Sequence, residues 1–434
     1  MAPALPPGKA VLYDRRVWIL RHKPLVGDCM TPPVNRGALF FGACGGLFIY
    51  GTVLALLGTM FGLAEMRQRL PLDFARQGHL ILLLYLGVLI TTFLAGPLSD
   101  SLGFKWVLVI AALLVTAGQI GFAVARSFGA AVPAALLMGF GGGGLCIGSN
   151  GLVSELYPER RSAMLNLLGV AFGVGAFALP LLMLGLEGRC SAPQLLGASA
   201  AVALLFSFFF ALSRFPEARE RHGVSILETL KVIKYPGLLA IAMLLFFESG
   251  NEACMGGWTS VYAGHAGLSA RAATLALSGY WAGMMFGRLV APLALRRWGR
   301  QETILAGALG SVLGCALLLG AHSFATLAPA AFLCGFSFAP VFQTALGIAG
   351  DRYTQSSSSV MALLFLFALV SGMAFPWSVG QISQALTRHG YAPIHAVRGG
   401  LLLPLAGTVC VSVLAGVQVV RARRRRASAE STNA

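Results

Sequence analysis

Charge is what this sequence has least of. Asp, Glu, Lys and Arg make up only 11% of its 434 residues, against about 25% in a typical soluble domain. That excludes large polar domains and a soluble enzyme. Acids are the scarcer sign, 16 against 32 basic residues. Paired cysteines are missing as well. The eight Cys (Cys29, Cys44, Cys146, Cys190, Cys254, Cys315, Cys334 and Cys410) stand singly, mostly inside apolar runs. No Cys-x-x-Cys or Cys/His cluster occurs, which argues against a disulfide framework and a metal site. No strand–turn–helix context with a phosphate-loop lysine is present, so no ATP-binding motif exists. No cofactor is expected.

Apolar sequence takes the place of charge. Hydrophobic residues make up 57% of the chain, with 54 Gly and 28 Phe. A membrane span needs about 20 apolar residues. Runs of that length fall at 37–63, 77–98, 106–126, 131–153, 163–186, 194–213, 237–263, 272–295, 302–321, 326–349, 358–381 and 398–420. These predict an all-α membrane protein with twelve spans. The long polar break at 214–236 divides it into two six-helix bundles, 37–213 and 237–420. An N-terminal tail, 1–36, and a basic tail, 421–434, flank them.

Lys and Arg set the orientation, because they accumulate on the cytoplasmic side. With both termini in the cytoplasm, that side holds 23 of the 32 basic residues. The run Arg421, Arg423 to Arg426 directly follows the last span and reads as a topology anchor rather than a nucleic-acid site. The net charge of +16 therefore does not imply nucleic acid as a partner. The expected partners are a lipid bilayer and a small molecule, with the chain acting as a monomer in the cell membrane. Charges interrupt every apolar stretch before residue 37, so no signal peptide is expected. Residues 11–20 read either as a surface helix or as sequence ahead of a true start at Met30.

Six plus six spans invite a search for an internal repeat. Tyr85 through Pro97-Leu98 matches Tyr280 through Pro292-Leu293 at an offset of 195. Gly103 and Gly299, and Pro180 and Pro376, recur at 196. Parallel halves around a central cavity suit alternating access, in which a midplane site opens to each side in turn.

The stretch Gly96-Pro-Leu98-Ser99-Asp100-Ser-Leu-Gly103-Phe-Lys105 resembles the loop 2–3 signature of the major facilitator superfamily. Ser101 and Phe104 stand where that signature has arginines. The second-half copy, Gly287-Arg288 through Arg296, Arg297, Gly299 and Arg300, lacks the aspartate. Three stretches resemble the fucose-permease-like sugar–proton symporters within it: Gly250 to Trp258, Gly287-Arg288-Leu289, and Asn150 through Glu155, Arg160, Arg161 and Asn166. The resemblance implies a sugar cargo and a proton partner. It also implies gating roles for Gly96, Asp100, Gly103, Lys105 and Arg288. The first span has no acid, Cys146 stands where that group has a helix 4 carboxylate, and Gly169 stands near its helix 5 glutamine. That group's own proton route is therefore missing here.

Of sixteen acids, only Glu248 and Glu252 fall near mid-span, one turn apart on one helix face. An ionised carboxylate there is costly, and two neighbours repel, which favours a shared proton and suits proton coupling. Ser249-Gly250-Asn251 and Gly256-Gly257 are expected to weaken the helix on both sides of Glu252, or else to serve close packing. Gly139 and Gly141 to Gly144 are expected to let the fourth span approach another backbone. Asn150, Gln119, Asn166 and Gln343 are read as buried amides needing partners. Asn150, Asn251, Trp258, Gln343, Phe172 and Trp281 are the candidate substrate contacts, since an aromatic face packs on the C–H face of a sugar. Tyr280 and Trp377 could join them or belong to the core. Asp100, at the end of the second span, is expected to seek the N-terminus of the eleventh.

Together these residues predict a secondary active transporter of a small neutral polar solute, a sugar foremost, with no enzymatic activity. Its rivals are an exporter of amphiphilic metabolites or drugs, a polytopic membrane enzyme, and a membrane sensor.

Overall fold

The computed structural model describes residues 35–186, 189–216, 231–235, 237–353 and 357–433. The predicted N-terminal tail and most of the 214–236 linker lie outside the described residues. Arg36 onward forms one compact unit, built from helices.

The long helices are α1 Arg36–Gly62, α2 Phe74–Val124, α3 Phe128–Leu156, α4 Arg161–Gly185, α5 Ala192–Leu212, α6 Leu238–His265, α7 Ala270–Trp298, α8 Arg300–Gly320, α9 Phe324–Arg352, α10 Ser357–Arg388 and α11 Leu402–Asn433. At 51 residues, α2 would be about 77 Å long if straight, more than twice a bilayer core. It is not straight. Gly103 has φ 78° and ψ 160°, a left-handed backbone that glycine adopts without Cβ strain. The chain turns back there, and α2 becomes two spans, Phe74–Ser99 and Ser101–Val124.

Among the described residues, eleven helices are long and apolar enough to cross a membrane. The expected twelfth span, 272–295, folds as the 29-residue α7. It has the length, but Arg271, Arg288, Arg296 and Arg297 make it more polar than the others. Most helix ends fall within a few residues of the apolar runs. The main exceptions are α11, which continues past 420 through the basic run to Asn433, and α10, which continues past 381 to Arg388, because Arg, Gln and Thr sustain a helix without being apolar. Large side chains such as Leu212, Leu205 and Phe41 point outward, 84%, 67% and 61% exposed, as a lipid-facing surface requires.

Helix boundaries recur at an offset of 196. The pair α7–α8 spans 270–320 where α2 spans 74–124, and α9 spans 324–352 where α3 spans 128–156. The caps recur too. Asp73 accepts from the Arg76 N–H at 2.8 Å and Ser269 from the Ala272 N–H at 3.2 Å. Ser127 and Ser323 start α3 and α9. Gly299, with φ 87°, repeats the turn of Gly103. Both ends of the segment therefore fix the frame at 196, one residue from the 195 frame of the tyrosine-to-proline match. In the 196 frame Tyr85 corresponds to Trp281.

Glycine makes the tightest crossings. A Cβ on Gly87 would lie 2.7 Å from the Leu136 carbonyl oxygen, and Gly139 fits against the Leu84 carbonyl. Gly283 and Gly335, 196 residues on, do the same between α7 and α9. The glycines of the fourth span thus serve close packing, as expected. The expected weakening of α6 does not occur. It runs unbroken for 28 residues, and its glycines face neighbours instead: Gly250 faces the Phe375 ring, Gly256 faces the Trp281 ring, and the Gly256 carbonyl lies against Gly58.

Candidate functional site

Both mid-span acids sit on α6 and act electrostatically on each other. Glu248 is 1% exposed. Ser249 donates its hydroxyl to one Glu248 carboxyl oxygen at 3.2 Å, and the other oxygen is buried without a partner. Glu252 is half-buried. It lies deep in the bundle yet keeps accessible surface, so it faces an internal space.

Arg288, on α7, faces the same space. Its charge acts on Glu252, Glu248 and the Tyr50 hydroxyl. Its guanidinium lies 5.1 Å from the centre of the Phe172 ring, a cation–π contact. Among the described residues it makes no ion pair within 4 Å, and its Nε is buried without a hydrogen-bond partner.

Aromatic rings pack around these groups, and Phe172, Trp281 and Tyr280 are themselves buried, 6%, 2% and 0% exposed. Phe172 lies 5.5 Å from Tyr50 and 6.3 Å from Trp281, and Trp281 lies 5.1 Å from Tyr280. Among the described residues the Trp281 Nε1–H has no acceptor. The Tyr280 hydroxyl donates to the Glu252 backbone carbonyl at 3.3 Å. Tyr85, half-buried, lies within electrostatic reach of Glu252. Tyr85 and Trp281 both border a small void of about 10 Å³ beside Ala253 and Gly256, room for about one water. Cys146 and Asn150 are half-buried on α3, and Cys146 lies near Tyr50.

Other expected contacts stand elsewhere. Trp258 is fully buried, donates to the Pro376 carbonyl at 3.1 Å and packs on Phe74. That geometry ties α6 to α10 and α2. Asn251 is fully buried on the α6 face toward Gly407 of α11, with both amide atoms unpartnered. Asn150 donates to the Cys146 carbonyl of its own helix at 2.8 Å. Gln343 and Asn166 are exposed rather than buried, one helical turn from Gly347 and Gly169, which have no atom within 4 Å of an added Cβ. Gln119 is buried and donates to Ser199 at 3.0 Å, an interhelical tie.

Of the expected gating residues, Gly96 has no atom within 4 Å of an added Cβ, and Lys105 lies over the Trp106 ring at 5.9 Å. The Asp100 side chain and the first residues of α10 lie outside what is described, so their contact does too. Tyr50 and Tyr85 were not singled out as site residues. A tyrosine within an apolar span signals one, because its hydroxyl needs a partner there.

The two chain halves meet at one end. Ser260 of α6 donates to the Gly58 carbonyl of α1, and Gly78 of α2 lies against Trp377 of α10. Toward the other end Gly96, Gly169 and Gly347 have no atom within 4 Å of an added Cβ, as is also true of Gly129, Gly185 and Gly320 at the meeting end.

Comparison with known proteins agrees with this architecture. The family model of the Major Facilitator Superfamily matches residues 42–376. An uncharacterized MFS-type transporter, YfkL of Bacillus subtilis, is 25% identical over 350 residues, 78% of this chain and 87% of that protein. An uncharacterized transporter of Sinorhizobium fredii, y4wD, is 23% identical over 319 residues, 71% of this chain and 82% of that protein. Among solved structures, the nucleoside transporter NupG superposes with TM-score 0.71 at 15% identity, covering 87% of this chain and 98% of that one. The fucose:proton symporter FucP of E. coli superposes with TM-score 0.59 at 18% identity, covering 87% and 98%. At those identities the likeness is one of fold. With a family match over most of its length and a bundle of membrane-length helices, the chain belongs to the Major Facilitator Superfamily of multi-pass membrane transporters.

Proposed function

We propose that this chain is a secondary active transporter of a small neutral polar solute that carries a sugar ring. Proton movement through Glu252 drives it. The observation that carries the reading is Glu252 and Arg288, which make no ion pair within 4 Å among the described residues, within electrostatic reach of each other beside the Phe172 ring. An acid with no ion-pair partner is free to hold or release a proton. The guanidinium offers donors to hydroxyl oxygens, and Phe172 and Trp281 offer faces to C–H groups. A lone cation balanced by two acids does not make a cradle for an anion. Both named structural neighbours, a nucleoside transporter and a fucose:proton symporter, move sugar-bearing solutes, which supports the same cargo class.

In this reading α7 is the twelfth span, and residues 37–213 and 237–420 are the rocking halves. The 196-residue recurrence of helices, caps and turning glycines supports the paired halves. Both termini are cytoplasmic, so the meeting end of the halves faces outward and the other end faces the cytoplasm. Gly96, Asp100, Gly103 and Lys105 gate that inner end. The chain works as a monomer in the cell membrane.

A thermal-shift panel of neutral monosaccharides and nucleosides on the purified protein tests the cargo. A ligand at 100 times its Kd stabilises by about 2.7 kcal/mol, and Trp281→Ala is expected to abolish that shift. Stabilisation by amphiphiles alone would instead support the exporter.

A further inference from the structure

His79 sits on the first arm of α2, at the end where the halves meet, away from the central acids. Its Nδ1 lies 2.7 Å from the Ala75 carbonyl oxygen, so Nδ1 carries the hydrogen and donates. Its Nε2 must then be the bare nitrogen, and it accepts the Trp377 indole N–H of α10 at 3.2 Å. The two partners together select a neutral ring of one tautomer. The bond crosses between the halves, joined there by the Gly78–Trp377 contact.

We infer that His79 is the proton-responsive latch of this end. A proton taken from solvent occupies the Nε2 lone pair. The imidazolium then has N–H groups at both nitrogens and nothing with which to accept. Its Nε2–H opposes the Trp377 Nε1–H, the hydrogen bond is lost, and α2 separates from α10. No covalent bond breaks, and deprotonation restores the acceptor. Solvent reaches this end: a cavity of about 520 Å³ is lined by Arg76, Gln77 and Gln384, one turn from His79 and Gln381.

The surroundings of the ring are sparse in charge. Its own helix brings Asp73 and Arg76, and the Arg76 guanidinium lies over Phe128 at 5.8 Å. From α3 the facing group is that Phe128 ring, 6.5 Å away; the ionisable residues of α3, Cys146 and Glu155, lie far along the helix. From α10 come Trp377 and the Gln381 amide, 3.5 Å from Nδ1, and the only charge on that helix is Arg388 at its end. From α6 comes His265, whose ring packs on Phe74 at 5.3 Å. None of these replaces the lost acceptor.

The side on which the proton arrives follows the proposed topology; the latch itself does not depend on the cargo or on Glu252. Spin labels at Gln68→Cys and Tyr391→Cys, with the native cysteines replaced, report separation of the halves at this end. Lowering the pH is expected to raise the long-distance population about tenfold, the effect of losing one part-buried hydrogen bond. His79→Gln keeps an acceptor that does not titrate and is expected to stay closed at both pH values. Trp377→Phe is expected to be partly open already at the higher pH. Glu252→Gln is expected to keep the acid response. Hydrogen–deuterium exchange of residues 74–82 and 373–384 in protein with its native cysteines, corrected for the pH dependence of chemical exchange, should follow the same pattern. An acid response that survives His79→Gln, or one that vanishes in Glu252→Gln alone, would overturn the latch.

Discussion

Arg288 shows what a single side chain contributes to the proposed site. It is planar, lies over the Phe172 ring and makes no ion pair within 4 Å among the described residues. A lysine keeps the charge but loses the stack and the forked donors. Arg288→Lys is therefore expected to weaken substrate binding by about 0.5–2 kcal/mol, a roughly two- to thirtyfold rise in Kd by calorimetry. Loss of protein stability comparable to the loss of affinity would point to a purely structural arginine. At this scale the sequence was legible for charge and poorly legible for direction. Glu248, Glu252 and Arg288 stood out because an ionisable group inside a span is rare. Which neighbours Trp258 and Trp281 faced depended on helix rotation, and helices apolar all round carry no pattern to set it. Trp258, beside Glu252 in the chain, turned into the core. The same lack of pattern hid the exposure of Gln343 and Asn166.

Elements were legible where composition changes and illegible where glycine does two jobs. Apolar runs located most helix ends to within a few residues but missed the polar extensions of α10 and α11, and Gly103 and Gly299 mark real turns. Alanine at either must adopt positive φ and is expected to cost about 1 kcal/mol or more, read as a lower melting temperature; an unchanged value at both would refute their role. Gly256-Gly257, by contrast, was open to two readings, a helix break or a packing face. Only the Gly58 backbone against Gly256 decided between them, and that neighbour lies about 200 residues away in the chain. Gly87→Val and Gly283→Val drive a side chain into a facing carbonyl and are each expected to destabilise by about 1–3 kcal/mol. Similar losses at both would mark equivalent crossings, while a loss at only one would argue against the repeat at that point.

For the whole molecule, the recurrence at 196 residues and the meeting of the halves at one end support rocking around a central space. Topology is the first check. A reporter fused after Ala434 is expected to be active only in its cytoplasmic form, and activity outside would invert the assignment of the closed end. The coupling claim is tested most directly in proteoliposomes, with the solute identified by thermal shift and an imposed pH gradient. Wild-type protein is expected to accumulate that solute against its gradient, with proton uptake. Glu252→Gln keeps size and removes titration, so it is expected to abolish accumulation while leaving counterflow exchange, which needs no net proton movement. Glu248→Gln is expected to have the smaller effect. Accumulation with normal pH dependence in both single mutants and in the double mutant would contradict proton coupling through α6.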